Sequence, residues 1–415
     1  MNVYLETHGC TANQSDARTA HGLLLQAHHT IVPTIHQADI LLLLTCTVID
    51  RTEQRMLSRI RLLQHTGKPL IIAGCMAAVQ PHLITTIAPH ATLLPPNDLH
   101  HLPDLIAHTP TTHPPTTTRL PKHHTPPTAP IAIAEGCNYA CAYCITHHAR
   151  GPLHSHPITD LTADLTDALH AGCRDIHLTA QDTAAYGHDT HTTLPDLLTT
   201  LTAEPGDFHL RVGMMNPHSL LPILDPLIRT YHHPKIYKFL HLPLQAGDDT
   251  ILTAMNRDYT TTQYLHCVNT FRQAFPDLTL ITDIIVGYPG ETDQQATTTY
   301  DFIEALHPAV VNVTRYSARP LTTAKTLPHR IPTHIMKTRS QRYAAQALRL
   351  AHHHNQRFIG KQLTIYLTEY GTHDTTIGRT PNYNQVVIPG HHPLSMTHDV
   401  EIIDAKSTSL FGKLI

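Results

Sequence analysis

The sequence predicts an α/β protein in three parts: an N-terminal doubly wound parallel-sheet domain, a central partial (β/α)6 barrel, and a small C-terminal β-barrel. Three observations carry this. Over the first hundred residues short apolar runs alternate with helical patterns, as βαβ units do. From Ile131 the same alternation resumes with six strand-like runs, which suits a barrel whose chemistry sits at the C-terminal rim. From Phe358 the chain changes to short strands with turns between them, as in small β-barrels. The expected units are residues 1–107, a linker at 108–130, a barrel with a basic helical extension at 131–357, and a β-domain at 358–415.

In the first unit "NVYLET" (2–7), "DILLLLT" (39–45) and "PLIIAG" (69–74) read as strands, with helices expected at 15–27 and 51–63. Cys10, Cys46 and Cys75 each follow one of these strands within a few residues. All strands of a parallel sheet end on one edge, where doubly wound folds bind ligands. Three cysteines distant in sequence are therefore expected to converge on one rim, a metal-site candidate drawn from topology. Residues 108–130 repeat Pro and Thr without apolar periodicity and read as a partly extended linker.

The six strand-like runs of the second unit are 131–134, 175–180, 208–214, 238–244, 278–287 and 309–316. Directly after the first lies "AEGCNYACAYC", which places Cys137, Cys141 and Cys144 on one tight loop. Three thiolates at this spacing suit a 4Fe–4S cluster with one iron left open to a small molecule. A structural zinc site normally closes with four ligands, and zinc is the alternative reading. Cys173 and Cys267 stand without partners and read as buried thiols. With 38 histidines in the chain, a histidine near a motif carries little weight as a ligand.

No apolar run approaches the length of a membrane span, and "MNVYLETHGC" has no signal-peptide pattern, so a cytoplasmic protein with reduced thiols is expected. Formal net charge is −3, yet no Asp or Glu occurs between Glu304 and Glu369, where ten Lys and Arg fall. Such a segment is the footprint of a phosphate-binding surface, or else a solvated helix face. On a helix around 336–357, Arg339, Arg342, Arg349 and His353 share one face, and Met336, Tyr343, Ala347 and Ala351 another.

The Cys137-x3-Cys141-x2-Cys144 spacing, with Tyr143 before the last cysteine, resembles the radical S-adenosylmethionine (SAM) superfamily. "GCTANQSDA" (9–17), "TCTV" (45–48), "AGCMA" (73–77), "ARGPLHSHP" (149–157), "LTAQDTAAYGHD" (178–189), "RVGMMNP" (211–217), "FLHLPLQAGDDTIL" (239–252), "MNRDYT" (255–260), "TDIIVGYPGET" (282–292) and "RYSARPLTTA" (315–324) narrow the resemblance to its methylthiotransferases. The terminal β-domain is similar to the family's RNA-binding TRAM module. "NQSD", "TCTV" and "TAQDTAAYG" are most like the archaeal and eukaryotic branch, which acts on N6-threonylcarbamoyladenosine at position 37, next to the tRNA anticodon. Related branches act on N6-isopentenyladenosine or on a ribosomal-protein aspartate, and these are the alternative substrates. A non-catalytic zinc- and RNA-binding protein is the distant alternative.

The resemblance implies two 4Fe–4S clusters. One, on Cys137, Cys141 and Cys144, binds SAM and cleaves it to a 5′-deoxyadenosyl radical that attacks carbon 2 of the adenine. The other, on Cys10, Cys46 and Cys75, holds the sulfur to be donated. SAM serves as radical source and methyl donor, and a flavodoxin- or ferredoxin-type protein as low-potential electron donor. Expected SAM contacts are Tyr143, Gln181, Asp182, Gln245, Gly287 and Gly290, with ordinary rim hydrogen bonding or a βα turn as the alternative for the last five. Expected contacts to the tRNA anticodon stem-loop are Arg150, Arg339, Arg342 and Arg349. The chain departs from the family in "RGPLHSHP", which keeps Arg150 but loses other basic side chains, in Leu44-Thr45 before Cys46, and in "IDRTEQR" after it. The oligomeric state is not legible in the sequence.

Overall fold

The computed structural model describes residues 1–107 and 119–415. Residues 108–118, most of the expected linker's first half, lie outside the described residues.

Five parallel strands make the first sheet: β1 (Asn2–Thr7), β2 (Thr30–Ile31), β3 (Ile40–Thr45), β4 (Leu70–Gly74) and β5 (Thr92–Leu94), in the order β2-β1-β3-β4-β5. β3 is a continuous apolar run because helices cover both of its faces. Leu42 and Leu44 pack with the helix Thr11–Gln26, and Leu41 and Leu43 with Asp50–Gln64. Burying each of these leucines is worth about 1.5–3 kcal/mol. The first helix begins at Thr11, four residues before the expected start. Its opening turns carry Asn13, Ser15 and Asp16, which are buried but polar, so no apolar period announces them.

The central strands are β6 (Thr128–Ala132), β9 (Asp175–Thr179), β10 (His209–Val212), β11 (Phe239–His241), β12 (Thr279–Val286) and β13 (Val310–Arg315), with a short antiparallel pair, β7 (Ala134–Glu135) and β8 (His154–Ser155), beside the first. Two parallel trios, β10-β9-β6 and β11-β12-β13, join where Tyr237 N–H donates to Leu210 O (3.0 Å) and Met215 N–H to His241 O (2.9 Å). The result is six strands of an unclosed barrel. Its two free edges are covered, β6 by the helix Thr11–Gln26 and β13 by the helix Thr333–Gln356, which removes exposed ladder groups. β6 begins inside the stretch expected to be linker. The described residues ahead of it are tied down, with Arg119 and Lys122 both paired to Asp164.

The tail forms a closed barrel of β14 (Gln362–Tyr370), β15 (Thr375–Arg379), β16 (Gln385–Pro389), β17 (Thr397–Ala405) and β18 (Leu410–Leu414), in the order β14-β15-β16-β18-β17. It docks on the end of the central barrel where the strands begin. Lys238 N–H donates to Pro381 O (2.9 Å), and Thr279 Oγ1 to Asn384 Oδ1 (3.1 Å). The six cysteines of the two triads lie at the other end, whereas Cys173 is buried just ahead of β9 and Cys267 within the helix Thr261–Ala274. Among the described residues no helix is long and apolar enough to cross a membrane.

Candidate functional site

A cavity of about 400 Å³ opens at the C-terminal ends of the central strands. Cys137, Cys141 and Cys144 form one wall, on the loop after β7. That loop is held tightly at both ends. Cys137 N–H donates to Gly151 O (3.0 Å) and Ala142 N–H to Met255 O (2.9 Å). Gly136 sits at φ +74°, and a Cβ there would lie 1.9 Å from Pro152 O, so the close approach admits only glycine. The segment 255–258 braces the loop from below. Arg257 Nη1 donates to Cys141 Sγ at 3.2 Å and Nη2 to Asn216 Oδ1 at 3.1 Å, while Asn256 Nδ2 reaches Ala140 O at 2.8 Å. Burial disfavours the Arg257 charge, but Tyr143, Tyr259 and Cys141 hold its pKa well above the ordinary value. Burial likewise pushes the Cys137 thiol up to about 12 and raises Cys141, the latter against Arg257. Metal binding by such sulfurs displaces their protons.

The other three cysteines meet as the topology requires. Cys10 precedes the helix Thr11–Gln26, Cys46 follows β3, and Cys75 begins the helix after β4. Two glycines let their loops close. A Cβ on Gly9 would meet Cys46 Cβ at 2.9 Å, and one on Gly74 would meet Thr45 O at 2.6 Å. Asn13 Oδ1 lies 3.9 Å from Cys10 Sγ and 4.0 Å from Cys75 Sγ. Burial pushes Cys75 up to about 12 against the pull of Arg150, and it raises Cys46. Among the described residues no three His, Cys, Asp or Glu side chains close on a single-ion site.

The two triads are neighbours. Val48 and Ile49, just past Cys46, line the same cavity as Cys137, Cys141 and Cys144. Cys75 and Val79 pack with Ile145 and Ala149 in one apolar cluster that begins directly after Cys144. Two buried arginines clamp the units around this seam. Arg150 binds Asp16 (2.5 Å) and Glu135 (2.7 Å), and Arg319 binds Glu53 and Thr47. Asp50 N–H also donates to Ser317 Oγ (3.1 Å).

The structure brings together some of the expected SAM contacts and redirects others. Tyr143, Gln181, Asp182 and Gln245 line the cavity. Gln181 Oε1 and Arg257 Nε are buried there without hydrogen-bond partners among the described residues, as fits groups awaiting a polar ligand. Asp182 is 3% exposed, and its carboxylate is occupied by Ala184 N–H (3.1 Å), Asn216 N–H (2.9 Å) and Ser219 Oγ–H, so it shapes the floor instead of offering a free contact. Gly287 and Gly290 do not line the cavity. A Cβ on Gly287 would strike Met336 Cγ at 2.3 Å, so its φ of +79° serves packing under the helix Thr333–Gln356; Gly290, at φ +86°, is a turn residue facing open space.

Of the expected RNA contacts, Arg150 and Arg339 are turned inward, and Arg342 and Arg349 stay exposed. Arg150 is 2% exposed and spends its donors on Asp16, Glu135 and Asn13, so it cannot reach a phosphate. Arg339 pairs with Glu291 and Asp293, Arg342 lies 3.9 Å over the Tyr300 ring, and Arg349 pairs with Glu304. These contacts hold the helix Thr333–Gln356 beside the helix Asp293–Leu306, with Arg342 and Arg349 still exposed. Arg257 and Asn216 carried no expectation, although "MNRDYT" and "RVGMMNP" contain them.

Residues 2–94 match Uncharacterized protein family UPF0004, 131–303 the Radical SAM superfamily, and 356–415 the TRAM domain. A probable threonylcarbamoyladenosine tRNA methylthiotransferase of Methanothermobacter thermautotrophicus is 35% identical over 99% of both chains. Its Pyrococcus abyssi counterpart is 36% identical over 100% of both. A threonylcarbamoyladenosine tRNA methylthiotransferase of Danio rerio is 31% identical over 94% of this chain and 74% of its own. Among solved structures, the radical SAM methyltransferase TsrM from Kitasatospora setae, with cobalamin and a [4Fe-4S] cluster bound, superposes with TM-score 0.57 at 14% identity over 78% of this chain and 76% of that one. That likeness concerns the fold.

Proposed function

The chain belongs to the threonylcarbamoyladenosine tRNA methylthiotransferases of the radical SAM superfamily, and we propose that it adds a methylthio group to carbon 2 of N6-threonylcarbamoyladenosine at position 37 of tRNA. The observation that supports this reading is that one cysteine triad lines the cavity while the other lies beside it, through Val48 and Ile49 past Cys46 and through the packing of Cys75 on Ile145 and Ala149. A radical SAM enzyme uses a 4Fe–4S cluster and SAM, and this pair supplies one-electron chemistry able to take hydrogen from a carbon that has neither an acidic proton nor a leaving group.

Cys137, Cys141 and Cys144 are the ligands for that cluster in this reading, and Cys10, Cys46 and Cys75 hold a second one for sulfur donation. The first fit rests on the rigid loop and the buried orphan polar atoms beside it; the second rests on the two glycines that bring three thiols together. The chain's own residues then position and exclude. Gln181, Gln245 and Tyr143 orient SAM from the cavity walls. Arg257 fixes the Cys141 sulfur and, through Asn216, the loop after β10. Val48, Met214 and Ile285 keep water from the reacting carbon.

Because Arg150 and Arg339 are held in internal ion pairs, tRNA meets other cations as well as the exposed Arg342 and Arg349. Arg315 is exposed and lines the cavity, and Arg51 and Arg55 are exposed on the helix Asp50–Gln64 that begins directly after the cavity residue Ile49; none of the three makes an ion pair among the described residues. The terminal barrel lies at the opposite end, about 25 Å away along the eight residues of β12. An RNA touching both therefore runs along the flank of the barrel. A flavodoxin- or ferredoxin-type protein serves as electron donor.

Mass spectrometry of tRNA nucleosides from a methylthiolation-deficient host expressing this chain tests the reading. The expected product is 2-methylthio-N6-threonylcarbamoyladenosine. A methylthio-isopentenyl product alone would keep the chemistry and overturn the substrate, and loss of both products with both clusters loaded would overturn the activity.

A further inference from the structure

One carboxamide touches all three loops of the first triad. Asn13 is 1% exposed, and its Nδ2 donates to His8 O (3.1 Å), two residues before Cys10, and to Thr45 O (2.9 Å), directly before Cys46. Its Oδ1 accepts from Arg150 Nη2 (3.2 Å) and lies at 3.9 and 4.0 Å from the sulfurs of Cys10 and Cys75. Each donor hydrogen and the acceptor oxygen thus has a separate task. A buried carboxamide with every group used is rigid, because any rotation leaves a polar group unpaired.

We propose that Asn13 is the positioning residue that holds Cys10, Cys46 and Cys75 in register for a cluster and couples that triad to the barrel through Arg150. Its neighbours support this. Gly9 has no Cβ because one would lie 2.6 Å from Asn13 Nδ2, so the loop of Cys10 is folded tightly over this side chain. Arg150 meanwhile belongs to the helix Thr146–Arg150, which begins two residues after Cys144. Asn13 and Arg150 therefore form a two-residue path from one triad to the other. Outer-shell groups of this kind set ligand geometry, and their loss costs metal sites about 10–100-fold in affinity.

The inference rests on reading the first triad as a cluster site, and the test separates the two. The wild type, Asn13→Leu, Asn13→Asp and the triple variant C10A/C46A/C75A are reconstituted anaerobically, and iron and sulfide per chain are measured with SAM cleavage as a check on the barrel. The expected result is that both Asn13 variants hold half the wild-type iron, as the triple variant does, and still cleave SAM. Asn13→Asp keeps the side chain's size and its partner for Arg150 while removing both N–H donors, so it tests the loop contacts alone. Equal iron in the wild type and the triple variant would refute the cluster reading. A triple variant with half the iron beside Asn13 variants with full iron would refute the role of Asn13. Loss of both clusters in both Asn13 variants would also overturn it, by making Asn13 a general folding residue.

Discussion

Replacing Arg150 with leucine separates its structural role from the RNA contact expected of it. The side chain is 1% exposed, and four hydrogen bonds join it to Asn13, Asp16 and Glu135. Burial works against its charge, yet Asp16 and Glu135 hold it firmly protonated. Its removal strands Asp16, which is 9% exposed, whereas Glu135 at 25% retains water and contributes less. Breaking a buried pair in this way costs about 3–5 kcal/mol. Burial already pushes Asp16 up to about 6 with Arg150 present, and the carboxyl rises further without it. A carboxyl whose folded pKa exceeds its unfolded value takes up a proton on folding, so stability falls as pH rises through the folded pKa. The deficit of Arg150→Leu should therefore be largest near pH 8 and shrink towards pH 6, and D16L in the same chain should recover most of it. Urea unfolding at three pH values measures this. A variant within about 0.5 kcal/mol of the wild type at pH 8 would refute the argument, because that is the scale of exposed substitutions.

Three further outcomes follow from the same structure. Arg257→Leu removes the N–H bond to Cys141 Sγ, and lost hydrogen bonds to cluster sulfurs lower the reduction potential; a spectroelectrochemical titration should show the fall, and an unchanged potential would contradict it. R51E/R55E should weaken tRNA binding and flatten its salt dependence by about 0.7 in log–log slope per lost phosphate contact, and an unchanged slope would place the RNA elsewhere. His124 is 7% exposed with neither ring nitrogen partnered among the described residues, and burial lowers its pKa to about 4. A histidine depressed in the folded state contributes stability that is complete above about pH 6.5 and is lost as pH falls towards 4, up to about 3 kcal/mol here. H124F should flatten that acid limb in thermal melts, and an unaltered limb would assign it elsewhere.

Much of the architecture was legible because parallel strands buried on both faces must be continuous apolar runs. β3 and β4, buried at every residue, stood out for that reason, while β1 carries fewer apolar residues and is only partly buried, and the cysteines behind all three had to share an edge. The strands β2, β5 and β18 did not stand out, the first two being only two and three residues long. Side-chain direction was harder to read than position. The absence of acids between Glu304 and Glu369 made the basic helix look like an RNA surface. Its partners, Glu291, Asp293 and Glu304, lie on the preceding helix or its approach, and only packing brings them opposite. The early start of the first helix was hidden likewise, since Asn13 and Asp16 are buried to serve a seam between units and break the apolar period.

The central claim, that two triads divide one reaction around one cavity, is tested most directly with purified, reconstituted C10A/C46A/C75A and an anticodon stem-loop carrying N6-threonylcarbamoyladenosine. With SAM and a reductant, this variant should form 5′-deoxyadenosine but no methylthio product, while the wild type forms both. Methylthiolated RNA from the triple variant would contradict the account.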